Sequence, residues 1–81
     1  MSITLFTQPG CQPCNATKRM LDRLGLEAKE VNVRETASAF DTIKSLNPAY
    51  NGTPVILVER EDGSIKHWDG FRPDSIQALA V

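Results

Sequence analysis

Apolar side chains recur along this chain with a period that changes several times, and each change marks the edge of an element. Ile3 to Thr7 (ITLFT) is a β-branched and aromatic run stopped by Pro9-Gly10, which predicts a first strand. From about Gln12 the spacing turns helical. Ala16, Met20, Leu21 and Leu24 share one face, Lys18, Arg19, Asp22 and Arg23 the other, and Gly25 supplies a left-handed stop. The segment EAKEVNV alternates with period two towards Val31 and Val33, which predicts a second strand. Ala37, Phe40, Ile43 and Leu46 repeat every third residue and predict a second helix, closed by Asn47-Pro48. PVILVE is continuously apolar, as a strand covered on both faces should be. Asp62-Gly63 predicts a hairpin turn into SIKHW, and Pro73 suits the first turn of a short last helix with Ile76 and Leu79 inward.

The predicted order is therefore β-α-β-α-β-β-α. A βαβ unit requires parallel strands and a right-handed crossover, whereas a hairpin at 62–63 makes the last pair antiparallel. The expected architecture is α/β, a four-stranded mixed sheet with helices on both faces.

Length and charge narrow the function. Eighty-one residues, 41% of them hydrophobic, suit one small domain over residues 1–81. A domain of that size buries only about 60% of its unfolded surface and leaves no room for a second core. Nine basic side chains stand against ten acidic ones, without a basic stripe for nucleic acid or a block of like charge. MSITLFTQPG lacks the charged start and long apolar run of a signal peptide, and no stretch approaches membrane-spanning length. A soluble, cytoplasmic protein with no nucleic-acid or membrane partner is expected.

The two cysteines, Cys11 and Cys14, lie in GCQPC at the predicted start of the first helix. A bridge between them closes almost no loop, so it has little value as a staple. Placed at a helix N-terminus, Cys11 meets unpaired N–H groups and the positive end of the helix dipole, both of which favour a thiolate, the species that attacks disulfides. Cys14, one turn further on, is placed to attack a mixed disulfide on Cys11 and release the partner. Pro13 stiffens the loop between them. A zinc site is the competing reading, but it would have to recruit His67 and a carboxylate such as Asp69. An iron–sulfur centre prefers four thiolates, of which one chain supplies two. Two inert buried thiols are a third reading, and the neighbouring Pro-Gly argues instead for exposure. Redox chemistry of a C-x-x-C pair beside a βαβ pattern is the strongest signal.

Thr53-Pro54 opens the most apolar strand, where proline is tolerated only at the first position or on an edge. The residues alone favour an ordinary trans strand start, because cis is a small minority of X-Pro bonds. A cis bond would instead turn the Thr53 backbone towards the cysteines and leave it free to pair with an extended peptide.

C-x-x-C after a first strand, Thr-Pro before a third and this element order in about eighty residues resemble the thioredoxin superfamily. A full thioredoxin usually has W-C-G-P-C and a buried Asp on the sheet, whereas here Gly10 precedes Cys11 and ITLFT carries no carboxylate. The segment HWDGFRPDSI, with W-x-G-F-R-P, taken with CNATK after the second thiol, is similar to the NrdH-redoxins over essentially the whole chain. That resemblance implies a thioredoxin-like fold, Cys11 as nucleophile, Cys14 as resolving thiol and a cis Thr53-Pro54 bond beside them. It further implies electrons from NADPH through thioredoxin reductase, a flavoprotein, and delivery to the large subunit of a class Ib ribonucleotide reductase, with no cofactor or metal bound to the redoxin itself.

The tail segment has a plain structural reading, with Trp68 and Phe71 as core rings, the Trp68 N–H satisfied and Arg72 a solvated charge. The resemblance gives Trp68 and Arg72, with Gly70 and Phe71, a supporting role, tying the last strand and helix to the Thr53-Pro54 loop. Glutaredoxins that bind glutathione usually carry Gly-Gly followed by Asp at this place. Here Asp69 replaces the first glycine and Phe71 and Arg72 crowd the approach, although Gly70 and Asp74 are kept. Weak glutathione binding is expected, and a glutathione-dependent glutaredoxin is the alternative function. Many relatives carry Lys where this chain has Gln8, so one stabiliser of the thiolate is missing. His67, the only histidine, is expected on the face opposite Trp68, as a satisfied strand residue rather than a general base.

Overall fold

The computed structural model describes residues 1–80. Seven elements follow the predicted order: β1 (Ser2–Thr7), α1 (Gln12–Arg23), β2 (Lys29–Asn32), α2 (Ala39–Leu46), β3 (Val55–Glu59), β4 (Ile65–Asp69) and α3 (Pro73–Leu79). The strands form one sheet in the order β2-β1-β3-β4. β1 and β2 are parallel, with Phe6 opposite Val31 and Thr7 opposite Asn32. β3 runs antiparallel to both β1 and β4, with Leu5 opposite Ile56 and Ile56 opposite Trp68. This is a thioredoxin-like fold.

The two central strands separate two apolar layers by the parity of their residues, because successive side chains of a strand point to opposite faces. Ile3, Leu5, Ile56, Val58 and Trp68 pack with Leu21 of α1 and Ile76 and Leu79 of α3. Phe6 and Val55 pack on the other face with Val33, Tyr50 and Ala39 and Ile43 of α2. The continuously apolar β3 is thereby covered on both faces, as its sequence predicts.

Helix α1 ends as Gly25 requires. Gly25 takes φ +71°, its N–H donates to Asp22 O at 3.0 Å, and the Leu26 N–H reaches back to Leu21 O at 2.9 Å. The pattern satisfies two otherwise orphaned carbonyls and returns Leu26 to the core edge. At the other turn, Gly63 has φ +90° and the Arg60 N–H donates to Ser64 O at 2.9 Å, closing the β3–β4 hairpin.

Two helix faces differ from the expected ones. In α1 the fully buried positions are Cys14, Thr17 and Leu21, while Ala16, Met20 and Leu24 are only half-buried. Thr17 can be buried because its hydroxyl donates to Pro13 O at 2.8 Å, leaving no unpaired polar group. The second helix starts at Ala39 rather than Ala37, and its buried stripe is Ala39 and Ile43 with half-buried Leu46. Ala37 is exposed before the helix begins, and Phe40 is 41% exposed on its outer side. A repeat of three drifts around a helix that turns every 3.6 residues, so Phe40 cannot share a face with Leu46 while Ala39 and Ile43 occupy the core.

Candidate active site

β1 ends at Thr7, and Gly10, at φ +76°, turns the chain into α1. Cys11 is the helix N-cap, a position usually held by an oxygen-bearing side chain. Its Sγ performs the capping function, accepting the Cys14 N–H at 3.2 Å. Pro13 brings no N–H to this turn, and no acidic side chain stands in it. Cys11 and Cys14 are joined as a disulfide, with their Cα atoms 5.2 Å apart. The two sulfurs live in different surroundings: Cys14 is buried at 1% exposure, whereas Cys11 is only half-buried.

The Thr53–Pro54 peptide bond is cis, which corrects the trans expectation of the residues alone and agrees with that of the resemblance. Thr53 faces the disulfide, and its hydroxyl donates to Cys11 Sγ at 3.6 Å. Gln8 Nε2 in turn donates to Thr53 Oγ1 at 2.9 Å. Arg34 Nε donates to Gln8 Oε1 at 3.4 Å. Cys11, Cys14, Thr53 and Pro54 therefore converge, and Gln8 and Arg34 complete the group from behind.

Of the four tail residues given a supporting role, Gly70 contacts the cis-proline loop through its backbone. The tie to the cis-proline loop is the Gly70 N–H, which donates to Pro54 O at 2.9 Å from a φ of +77°. Trp68 is a buried core ring paired across the ladder with Ile56, but its Nε1 has no hydrogen-bond partner among the described residues. Its environment is aliphatic, which explains the missing acceptor. Phe71 is 41% exposed rather than a core ring, because it lies between the end of β4 and the start of α3, outside both apolar layers. Arg72 is exposed and stands at the N-cap of α3 without a side-chain hydrogen bond.

His67 lies on the face opposite Trp68, and its Nδ1 pairs with the Tyr50 hydroxyl at 2.9 Å. The two rings meet edge to face with centroids 5.7 Å apart. Among the described residues no group of three or more His, Cys, Asp or Glu side chains comes together to hold a metal ion.

Sequence reasoning did not single out Arg34 or Tyr50. The parallel pairing of β1 and β2 contains the signal for Arg34. Thr7 stands opposite Asn32, and the Val33 N–H donates to Thr7 O at 2.9 Å, so the residue after Val33 must emerge beside Gln8. The carboxyl ends of parallel strands are where α/β sheets gather functional side chains.

A disulfide here holds almost nothing together, yet it presents one reachable sulfur, backed by hydrogen-bond donors, beside a cis-proline loop. That arrangement places the molecule among the thioredoxin-fold thiol–disulfide oxidoreductases. The glutaredoxin family pattern matches residues 3–62. The chain is 38% identical over 79 residues to the glutaredoxin-like protein NrdH of Salmonella typhimurium, covering 98% of this chain and 89% of that one. Its counterpart in Escherichia coli is 32% identical over the same coverage. The solved NrdH-redoxin of Escherichia coli, a glutaredoxin-like protein with a thioredoxin-like activity profile, superposes with a TM-score of 0.81 at 30% identity, over 98% of this chain and 95% of that one. The chain belongs to the glutaredoxin family, in its NrdH-redoxin branch.

Proposed function

We propose that this protein carries electron pairs from NADPH, by way of thioredoxin reductase, to the large subunit of a class Ib ribonucleotide reductase. The observation that carries the thiol chemistry is the asymmetry of the pair: Cys11 is reachable and accepts two hydrogen bonds, while Cys14 is buried behind it. In the reduced protein the Cys11 thiolate attacks one sulfur of the partner disulfide. A Cys11–partner S–S bond forms, the partner bond breaks, and the partner's second sulfur leaves as a thiolate that takes a proton from solvent. Cys14, deprotonated in its turn, attacks Cys11 Sγ, and the partner's remaining sulfur departs. Two electrons have moved, and the redoxin holds the Cys11–Cys14 disulfide. The reductase returns it to the dithiol, with NADPH as the source, and no cofactor need reside on this chain. An extended partner segment would pair with the Thr53 backbone beside the cis bond, a strand-addition mode of recognition.

The thioredoxin-like activity profile of the Escherichia coli relative supports this electron route. The tail supports it too, because Asp69 puts a carboxylate, and Phe71 an exposed ring, where a glutathione site would need an open approach. The deciding experiment follows NADPH consumption with the oxidised protein under two regimes, thioredoxin reductase alone and glutathione with glutathione reductase. Rapid oxidation with the first and little with the second is expected. The reverse result would make the protein a glutathione-dependent glutaredoxin. The roles of the thiols are read by substitution: Cys11→Ser abolishes turnover, and Cys14→Ser accumulates a mixed disulfide with the partner that mass spectrometry detects. Full activity in Cys11→Ser would reverse the assignment.

A further inference from the structure

Behind Cys11 three side chains form a hydrogen-bonded series in which every donor points the same way. Arginine has donors only, so at the Arg34 contact the Gln8 amide must present its oxygen. Its NH2 group is thereby turned to Thr53 Oγ1, where it donates at 2.9 Å. With a lone pair of Thr53 so engaged, the hydroxyl proton is directed at Cys11 Sγ, 3.6 Å away. The series begins at a guanidinium that stays charged at any working pH and ends on the sulfur that carries negative charge when the protein is reduced.

We propose that Arg34, acting through Gln8 and Thr53, is a positioning residue that holds the Thr53 hydroxyl on Cys11 Sγ and stabilises its thiolate. Hydrogen bonds aligned in series polarise one another, so a cation at the far end strengthens the last donor. Arg34 makes no ion pair among the described residues that would divert its charge. Charged side chains on the surrounding elements make no hydrogen bond to Cys11, Thr53 or Gln8 among the described residues, apart from Arg34 itself. Lys18 of α1 pairs with Glu30 of β2 at 3.1 Å. Asp69 at the end of β4 and Arg72 and Asp74 at the start of α3 make no hydrogen bond to Cys11, Thr53 or Gln8 among the described residues. The β1–β2 pairing thus has a second consequence besides sheet formation: it delivers a cation to the back of the site from a residue 23 positions away in sequence, as Cys11 and Arg34 are numbered.

The proposal rests on Cys11 being the attacking thiol, and the two are tested separately. Which sulfur of the reduced wild-type protein is alkylated first is mapped by mass spectrometry, and Cys14 reacting first would overturn the role assignment alone. For the series itself, the Cys11 thiolate is titrated by its ultraviolet absorbance and by alkylation rate against pH in a Cys14→Ser background, which keeps the residue-14 N–H. Arg34→Ala and Gln8→Met are each expected to lower the thiolate fraction at neutral pH by about two- to fivefold, the size of an exposed charge effect. The double variant should fall no further than the larger single one, because the two residues act in series. Arg34→Lys, which retains a charged donor, should restore most of the fraction. A purely structural role would shift the thermal midpoint and leave the titration in place. An unchanged titration in Arg34→Ala overturns the proposal, and so do effects that multiply in the double variant.

Discussion

Gly70 does two things that only one residue type does well together. It takes a φ of +77° at the end of β4, and from there its N–H reaches Pro54 O at 2.9 Å. A Cβ at this position meets no atom within 4 Å, so the cost of Gly70→Ala is conformational rather than steric. That cost is about 1–2 kcal/mol, read as a lower thermal midpoint. Because the residue is bonded to the cis-proline loop, slower reduction of a disulfide partner should accompany it. Asp62 stabilises the β3–β4 turn electrostatically. The Ser64 hydroxyl, and after it the Ser64 backbone N–H, donate to its carboxylate at 2.7 and 2.9 Å and lower its pKa below the ordinary 3.8. A carboxyl depressed in the folded state favours folding above its unfolded pKa, and that contribution is lost as pH falls through the folded value. Asp62→Ala should therefore melt earlier than the wild type at neutral pH, and the two melting curves should converge in acid, once the pH has fallen through the lowered pKa of the folded carboxyl. A gap that persists there would assign the effect to turn conformation instead.

Among the elements, α1 is the one that joins chemistry to core. It begins at the N-capping sulfur of Cys11, and in its last turn Leu21 is buried with residues of both central strands and α3. Leu21→Ala should cost about 2–5 kcal/mol in denaturant unfolding. The strands and both glycine-closed turns were legible in the sequence because alternation, a continuous apolar run and Asp-Gly are local signals. Thr17 was not, since an apolar periodicity passes over a hydroxyl that is buried only because the Pro13 carbonyl lies one turn behind it. The start of α2 was misplaced for a related reason: Ala37 and Phe40 are apolar enough to fit a stripe, and only the packing of Ala39 and Ile43 under the sheet chooses the face. The cysteine pair was legible from spacing. The cis geometry of Thr53–Pro54 came from resemblance alone, and the Gln8–Arg34 contact arises from a pairing between strands that no local pattern encodes.

In the whole molecule, the site lies at one end of a sheet whose two central strands belong to both apolar layers, so opening either layer is expected to disturb strands that the other shares. Ile3 and Leu5 of β1 face one layer and Phe6 the other, and β3 divides in the same way between Ile56 and Val55. The chain contains a single tryptophan and a single tyrosine, and they fall on opposite sides of that partition. Trp68, with an indole N–H that meets no acceptor among the described residues, should emit at the blue end of the tryptophan range when folded. Tyr50, held against His67, should give near-ultraviolet circular dichroism at the tyrosine wavelengths. Nature has thus installed one optical reporter per layer, without a label. Followed together through urea, the emission and dichroism traces should overlay at one midpoint, as expected of two-state unfolding; separate midpoints would mean that the layers melt in turn and that a partly opened redoxin exists at equilibrium.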